Sequence, residues 1–114
     1  DSEMWAKATA QAFSMLTQEA CAEVAKPEGW NDEELKALSA RVVRAAPNDL
    51  RANQMRARVL CGQVTAWEAG PRSAAELKRA ATHFDRASAL CPAPVGKANF
   101  ASKAVRCRSQ AEAM

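Results

Sequence analysis

Four cysteines and a single histidine are the residues best suited to chemistry in this 114-residue chain. Cys21, Cys61 and Cys107 stand near the ends of three predicted helices, which a helical stack would set roughly 10 Å apart. A disulfide requires Cα atoms within about 7 Å of each other, and zinc sites use close pairs such as Cys-x-x-Cys, which the sequence lacks. We therefore interpret the three cysteines as small buried residues at tight helix contacts, and we expect neither a metal nor a cofactor.

The histidine, His83, lacks the surroundings that catalysis needs. A Ser-His-Asp or Cys-His mechanism could use only this imidazole, and no nucleophile motif surrounds any serine or cysteine. Glu34 and Glu76 each lie near a predicted helix start, where a carboxylate complements the helix dipole. No Gly-rich phosphate-binding loop is present. We predict that the protein is not an enzyme and that His83 is a structural or surface residue.

Charge and hydropathy exclude further classes of protein. The net charge is +3, and the basic residues are interleaved with acidic ones instead of forming the aromatic-rich basic stripe of a nucleic-acid binder. No apolar run approaches the roughly 18 residues that a membrane span needs, and no signal-peptide pattern opens the chain. We expect a soluble protein of the cell interior or of an organelle. Since the chain begins with Asp1 and not with Met, we also expect a processed protein or a fragment.

The elements that position these residues are predicted to be helices only. Alanine, the strongest helix former, is abundant, strand formers are sparse, and no stretch alternates with a period of two. The sequence therefore predicts an all-α protein of one domain covering residues 1–114, with short connections that make consecutive helices antiparallel neighbours. The five predicted helices cover about residues 2–25, 31–46, 49–68, 73–91 and 94–113.

Helix starts and buried faces follow from local patterns. Asn31 and Ser73 are predicted N-caps, each followed three residues later by glutamate, and Trp30 is placed to pack against Leu35 as a hydrophobic staple. The buried face of the fourth helix is predicted to hold Leu77, Ala80, Phe84, Ala87 and Cys91. That of the first helix is predicted to hold Trp5, Ala8, Ala12, Leu16, Ala20 and Val24. That of the fifth is predicted to hold Phe100, Ala104, Cys107, Ala111 and Met114, with Ala98, Ala101 and Val105 alongside.

The chain also repeats itself. The segment from Asn31 to Lys36 matches that from Ser73 to Lys78, and the helices that end near Cys61 and Cys107 match each other. The repeated unit is a capped helix, a proline-containing turn and a second helix that ends near a cysteine, which is typical of helical-repeat architectures.

Residues 80–92 carry a resemblance to a known family. Ala80, Phe84, Ala87, Leu90 and Pro92 have the spacings of the second helix of a tetratricopeptide repeat. The Trp-Leu-Gly-Tyr pattern usual in the first helix is absent, so the chain resembles a divergent member of the family. The stretch from Trp67 to Ser73 is also similar to uncharacterised helical-repeat proteins of microalgae. The resemblance implies a stack of helical hairpins, an α-solenoid fragment.

In tetratricopeptide stacks the first helix of each pair lines a concave surface that binds partners. The resemblance therefore implies a non-catalytic protein–protein interaction or assembly module, whose partner is an acidic or extended peptide. The partner-binding residues expected on that surface are Arg51, Gln54, Arg58, Asn99, Lys103 and Arg106. Trp67 is a further candidate as an exposed anchor, or else it covers the core.

Two other functions stay open at this point. The chain could be a peripheral or linker subunit of a larger complex, for example a photosynthetic complex in an organelle, because a short stack leaves its ends uncovered. The arginines also suit an RNA-binding helical-repeat protein, although no pattern that reads one base per repeat is present.

Overall fold

The computed structural model describes residues 1–17, 30–63 and 70–114. This part of the chain contains helices and no strand, which confirms the all-α class. The helices are α1 (Ser2–Leu16), α2 (Asp32–Ala45), α3 (Leu50–Cys61), α4 (Ala74–Leu90) and α5 (Pro94–Glu112).

Two helices end earlier than predicted. The helix α3 ends at Cys61, not near residue 68, because Gly62 adopts the left-handed conformation with φ of 79°. The N–H groups of Gly62 and Gln63 bond back to the carbonyls of Val59 and Arg58, which closes a Schellman motif. The helix α1 ends at Leu16, and the remainder of its predicted range lies in residues 18–29, outside the described part.

Side chains at the N-termini explain where the helices begin. The Asn31 carboxamide oxygen accepts a hydrogen bond from the Glu34 N–H at 2.9 Å, as predicted. Ser73 and Glu76 form a complete capping box, since each side chain accepts a hydrogen bond from the other residue's N–H at 3.1 and 2.9 Å. Helix α5 begins with Pro94, whose missing N–H costs nothing at that position.

Side-chain contacts give the helix directions. On α1 and α3, Ser14 contacts Arg51 and Thr17 contacts Arg58, so both helices run the same way. Helix α2 runs opposite to α3, and α4 runs opposite to α5, since the connections between them are only four and three residues long. Helix α3 packs against α1, α2 and α4, and α5 packs against α4.

Helix α3 lies between two halves of the hydrophobic core. The first half joins α1, α2 and α3 around Phe13, Val42 and Met55. The second joins α3, α4 and α5 around Leu60 and Phe84. The helix α4 buries all five side chains predicted for its face, because a large Phe84 among alanines leaves one orientation that fills the core.

Two buried faces were predicted wrongly. Helix α1 buries Ala6, Ala10 and Phe13, while Trp5 is 39% exposed and Ala8 lies on the outside. Alanine occupies every side of α1, so its periodicity does not distinguish one face, and burial of the large Phe13 ring sets the orientation. In α5, the predicted Ala104, Cys107 and Ala111 are buried and Phe100 is half-buried, but four of the expected residues are exposed: Met114, Ala98, Ala101 and Val105.

Candidate functional site

A concavity of about 440 Å³ opens between the end of α3 and the middle of α5. Gln54, Arg58, Gly62 and Gln63 line one wall, and Lys103 lines the other. We call these five residues the cationic cleft, because they bring an arginine and a lysine together without a carboxylate among them. Three of the predicted partner-binding residues, Gln54, Arg58 and Lys103, therefore meet at one place.

The Arg58 guanidinium is held by several contacts. Its Nη1 donates to the Thr17 hydroxyl at 2.8 Å, and its Nε donates to the Gln63 carbonyl at 3.1 Å. Its Cζ lies 5.1 Å from the centre of the Phe13 ring, within range of a cation–π interaction. Burial lowers the Arg58 pKa, but arginine keeps its charge in proteins. The cleft thus contains a positive charge in a fixed position.

Lys103 brings the second charge from α5. Its ammonium lies 5.9 Å from the centre of the Phe84 ring and 6.0 Å from that of Phe100. The two rings stack on each other with centroids 6.4 Å apart, so they form a platform beneath the ammonium group. This platform orients a side chain that is otherwise flexible.

The remaining predicted partner-binding residues lie outside the cleft. Arg51 is exposed on α3 and donates to the Ser14 hydroxyl at 2.9 Å. Asn99 and Arg106 are exposed on α5 and do not line the cleft. Trp67 lies in residues 64–69, outside the described part of the chain.

Cys61 and Cys107 pack in the half of the core that joins α3, α4 and α5. Cys107 is buried, Cys61 is half-buried, and the Cys61 thiol donates a hydrogen bond to the Arg58 carbonyl at 3.5 Å. Burial is the main reason that the pKa of Cys61 is raised and that the pKa of Cys107 rises to about 11. Both are free thiols, and Cys21 lies outside the described residues.

His83 links α4 to the start of α3. Its Nδ1 lies 3.0 Å from the carboxamide oxygen of Asn53, whose amino group donates to the carbonyls of Pro47 and Asp49. Because the Asn53 oxygen accepts, Nδ1 carries the proton. Burial, and then the nearby charges of Arg86 and Arg56, lower the His83 pKa to about 4. The imidazole is therefore neutral at pH 7 and joins α4 to the N-terminal end of α3 through Asn53.

An ionic network that the sequence did not reveal joins α2 to α4. Arg72 donates to both carboxylate oxygens of Asp32, at 3.0 and 2.6 Å, and Lys36 pairs with Glu76 at 2.9 Å. The hydrogen bonds from Arg72 hold the pKa of Asp32 below its usual range, and hydrogen bonds from Ser73 and Lys36 do the same for Glu76. No local pattern predicts these pairs, because the partners are far apart in sequence.

No family model, curated protein or solved structure matches the chain. Within the described residues, no helix combines the length and apolar character that crossing a membrane requires. In the same part of the chain, no cluster of three or more histidine, cysteine or acidic side chains is placed to hold a metal ion.

Proposed function

We propose that the protein is a non-catalytic protein-interaction module, a divergent tetratricopeptide-like stack, that binds an acidic extended peptide segment in the cationic cleft. The observation that carries this proposal is the convergence of Arg58 and Lys103 in an open concavity. Among the described residues that line it, two are cationic and none is acidic. An acidic segment complements such a surface in charge.

The fixed position of Arg58 favours this ligand. Guanidinium groups form charge-assisted, often bidentate, hydrogen bonds with carboxylates. Contacts with Thr17, Gln63 and Phe13 already order the Arg58 side chain, so binding requires less ordering of this group. Gln54 adds an amide that can donate to or accept from the backbone of an extended peptide.

The aromatic rings near the cleft favour a peptide over RNA. RNA-binding surfaces stack unpaired bases on exposed aromatic side chains. Phe13 and Phe84 are 1% and 0% exposed and lie beneath the two cations, so their faces are not open to a base. Among the described residues that line the cleft, there are thus cations but no aromatic ring whose face is open to a base.

Peptide binding can be measured by fluorescence anisotropy with a labelled decapeptide rich in Asp and Glu. We expect Lys103→Gln to weaken binding about fivefold, which corresponds to the loss of roughly one exposed charge contact. Lys78→Gln makes the same charge change on the exposed surface of α4 and should leave the affinity unchanged. Circular dichroism of both variants verifies that the fold is retained.

Three results would reject this function. The first is that Lys103→Gln and Lys78→Gln weaken peptide binding equally. The second is that a peptide with Asn and Gln in place of Asp and Glu binds as tightly as the acidic one, and the third is that uridine-rich RNA displaces the acidic peptide at physiological salt.

A second candidate, a peripheral subunit of a larger complex, is favoured by the outer face of α5. Val95 and Val105 are 75% and 63% exposed. Together with three small exposed residues they form a stripe with the three-four spacing of a helix-packing seam. The stripe consists of Val95, Ala98, Ser102, Val105 and Ser109. Helix α5 is thus apolar on two opposite sides, which is typical of a helix covered on both.

Mass spectrometry of the native assembly tests the subunit hypothesis. A subunit should retain stoichiometric partners, and Val105→Glu should release them, whereas Met15→Glu, at an exposed apolar position of α1, should not. If the isolated protein carries no partner, or if both variants release it equally, this candidate is wrong.

A further inference from the structure

A second concavity, of about 660 Å³, opens between the start of α1 and the end of α2. None of the described residues that line it belongs to the cationic cleft. Its walls are formed by Asp1, Ser2, Trp5, Arg41, Arg44 and Ala45. We call it the arginine pocket, because two of its side chains are arginines.

The Trp5 ring orients one of the two arginines. The Cζ of Arg41 lies 5.1 Å from the centre of the indole, within range of a cation–π interaction. Both side chains are exposed, so this contact lies at the surface and not in the core. A guanidinium held over a ring keeps the N–H donors at its edge, and these can form bidentate hydrogen bonds with an oxyanion.

Arg44 adds a second positive charge. It follows Arg41 by three residues on α2, so both side chains project from the same side of the helix. Arg72 and Arg108 pair with aspartates, whereas within the described residues neither Arg41 nor Arg44 forms an ion pair. The pocket therefore contains two cations whose charges are not matched by a carboxylate in contact.

The acidic residue in the lining narrows the choice of ligand. One carboxylate oxygen of Asp1 accepts a hydrogen bond from the Glu3 N–H at 2.9 Å, which makes Asp1 the N-cap of α1. Two arginines and one aspartate leave a single excess positive charge, so a lone carboxylate is attracted only weakly. A phosphomonoester carries a charge of about −1.5 to −2 at pH 7 and three acceptor oxygens, so it can bond to both arginines at once.

We propose that the arginine pocket binds a phosphorylated serine or threonine side chain of a partner protein, with the phosphate between Arg41 and Arg44. Trp5 orients Arg41 and contacts the residue next to the phosphorylated one. This site goes beyond the proposed function, since its ligand and its residues differ from those of the cationic cleft.

The shape and the charges of the pocket favour a peptide over other phosphate-bearing ligands. Sites for small molecules enclose most of their ligand, whereas this pocket is open at the surface and leaves room for an extended backbone. The carboxylates of Asp1 and Glu3, exposed at the start of α1, oppose contact with an anionic membrane.

Fluorescence anisotropy with a labelled nonapeptide, uncharged except for one phosphoserine, tests the site. We expect the peptide to bind about tenfold or more tightly than its unphosphorylated form. Arg41→Gln and Arg44→Gln should each weaken binding about tenfold, since each removes one charge-assisted contact. Arg79→Gln makes the same charge change on the exposed surface of α4 and should have no effect. Trp5→Ala should weaken binding about threefold, whereas Trp5→Phe keeps a ring beneath Arg41 and should restore it.

Three outcomes would overturn the proposal. One is that the phosphorylated and unphosphorylated peptides bind equally, and another is that Arg79→Gln weakens binding as much as Arg44→Gln. The third is that adenosine monophosphate, or phosphatidylcholine vesicles containing phosphatidylinositol phosphate, bind more tightly than the phosphopeptide, which would assign the pocket to a nucleotide or to a membrane.

Failure of this inference can be distinguished from failure of the proposed function. Lys103→Gln should leave phosphopeptide binding unchanged, and Arg44→Gln should leave binding of the acidic decapeptide unchanged. If either substitution weakens both peptides equally, the two ligands share one site, and a separate phosphate site is rejected.

Discussion

Replacement of Arg72 by methionine should destabilise the protein far more than the same replacement at Arg108. Both arginines pair with an aspartate at short distance: Arg72 with Asp32 at 2.6 Å and Arg108 with Asp85 at 2.5 Å. The exposed fractions of the two pairs differ. The Arg72 and Asp32 side chains are 7% and 21% exposed, whereas those of Arg108 and Asp85 are 48% and 47% exposed.

The hydrogen bonds of Arg72 give the magnitude. Two bonds to the Asp32 carboxylate form a bidentate pair, which contributes about 2 kcal/mol when little of it is exposed. Two further bonds to the Val59 carbonyl, at 3.1 and 2.8 Å, contribute about 1 kcal/mol. Methionine keeps most of the apolar stem and removes the charge. We therefore expect Arg72→Met to lower the free energy of unfolding by about 3 kcal/mol.

The control substitution removes an exposed pair. Arg108→Met should cost less than about 1 kcal/mol, because solvent screens the charges and the side chains lose entropy on pairing. Tm should fall by about 12 °C for Arg72→Met and by less than about 4 °C for Arg108→Met. Urea denaturation followed by far-UV circular dichroism at pH 7 measures both. Costs within about 1 kcal/mol of each other would refute the reasoning from burial.

Acid provides a second check of the same pair. Arg72 holds the pKa of Asp32 below its ordinary value, so the pair stabilises the protein at neutral pH. This contribution is lost as the pH falls through the folded-state pKa of Asp32. The stability difference between the natural chain and Arg72→Met should therefore narrow in strongly acidic solution, and a constant difference would show that the charge of Asp32 is not involved.

Substitutions at three further positions, His83, Gly62 and Gly96, test other parts of the structure. His83 has a pKa of about 4 in the folded protein, against 6.5 for the free side chain. Between these two pH values the unfolded state binds more protons than the folded state, so the free energy of unfolding falls as the pH drops from 6.5 to 4. Urea titrations should show a loss of about 2 kcal/mol between pH 7 and pH 5, absent in His83→Gln, and an equal loss in the variant would contradict this assignment. Gly62→Ala should lower the free energy of unfolding by about 1 to 2 kcal/mol, and Gly62→Asn should lower it less, because asparagine tolerates the left-handed conformation. Thermal denaturation measures both variants, and equal losses would argue against backbone strain at Gly62. Gly96→Ala would place its Cβ 2.5 Å from the Cys91 sulfur, so it should lower the free energy of unfolding, measured in urea, by about 1 to 3 kcal/mol. If that contact is the cause, the loss should be much smaller when Cys91 is also replaced by alanine.

Local sequence patterns predicted much of the helical framework. The caps at Asn31 and Ser73 follow from side chains that bond to N–H groups two or three residues away, and such contacts need no tertiary information. The buried face of α4 was also predictable, because a large ring at Phe84 among alanines distinguishes one side. Gly62 was a local stop signal as well, and the prediction of α3 overlooked it.

The sequence could not rank the faces of an alanine-rich helix. Alanine on all sides of α1 leaves the periodicity without contrast, so the packing of Phe13 against Trp30 decides which face is buried. In α5 the same ambiguity hides an apolar stripe that packing leaves exposed at Val95 and Val105.

The sequence by itself determined the helical class and the residue types available on each helix. Helix propensity and capping act over one or two turns, so they need no contacts between distant residues. Gln54, Arg58 and Lys103 of the cationic cleft were candidates, but their convergence depends on how α3 and α5 both pack on α4. Contacts between residues distant in sequence, such as Arg72 with Asp32 and His83 with Asn53, are decided only by tertiary packing. They depend on the rotation and separation of whole helices, which no local pattern specifies.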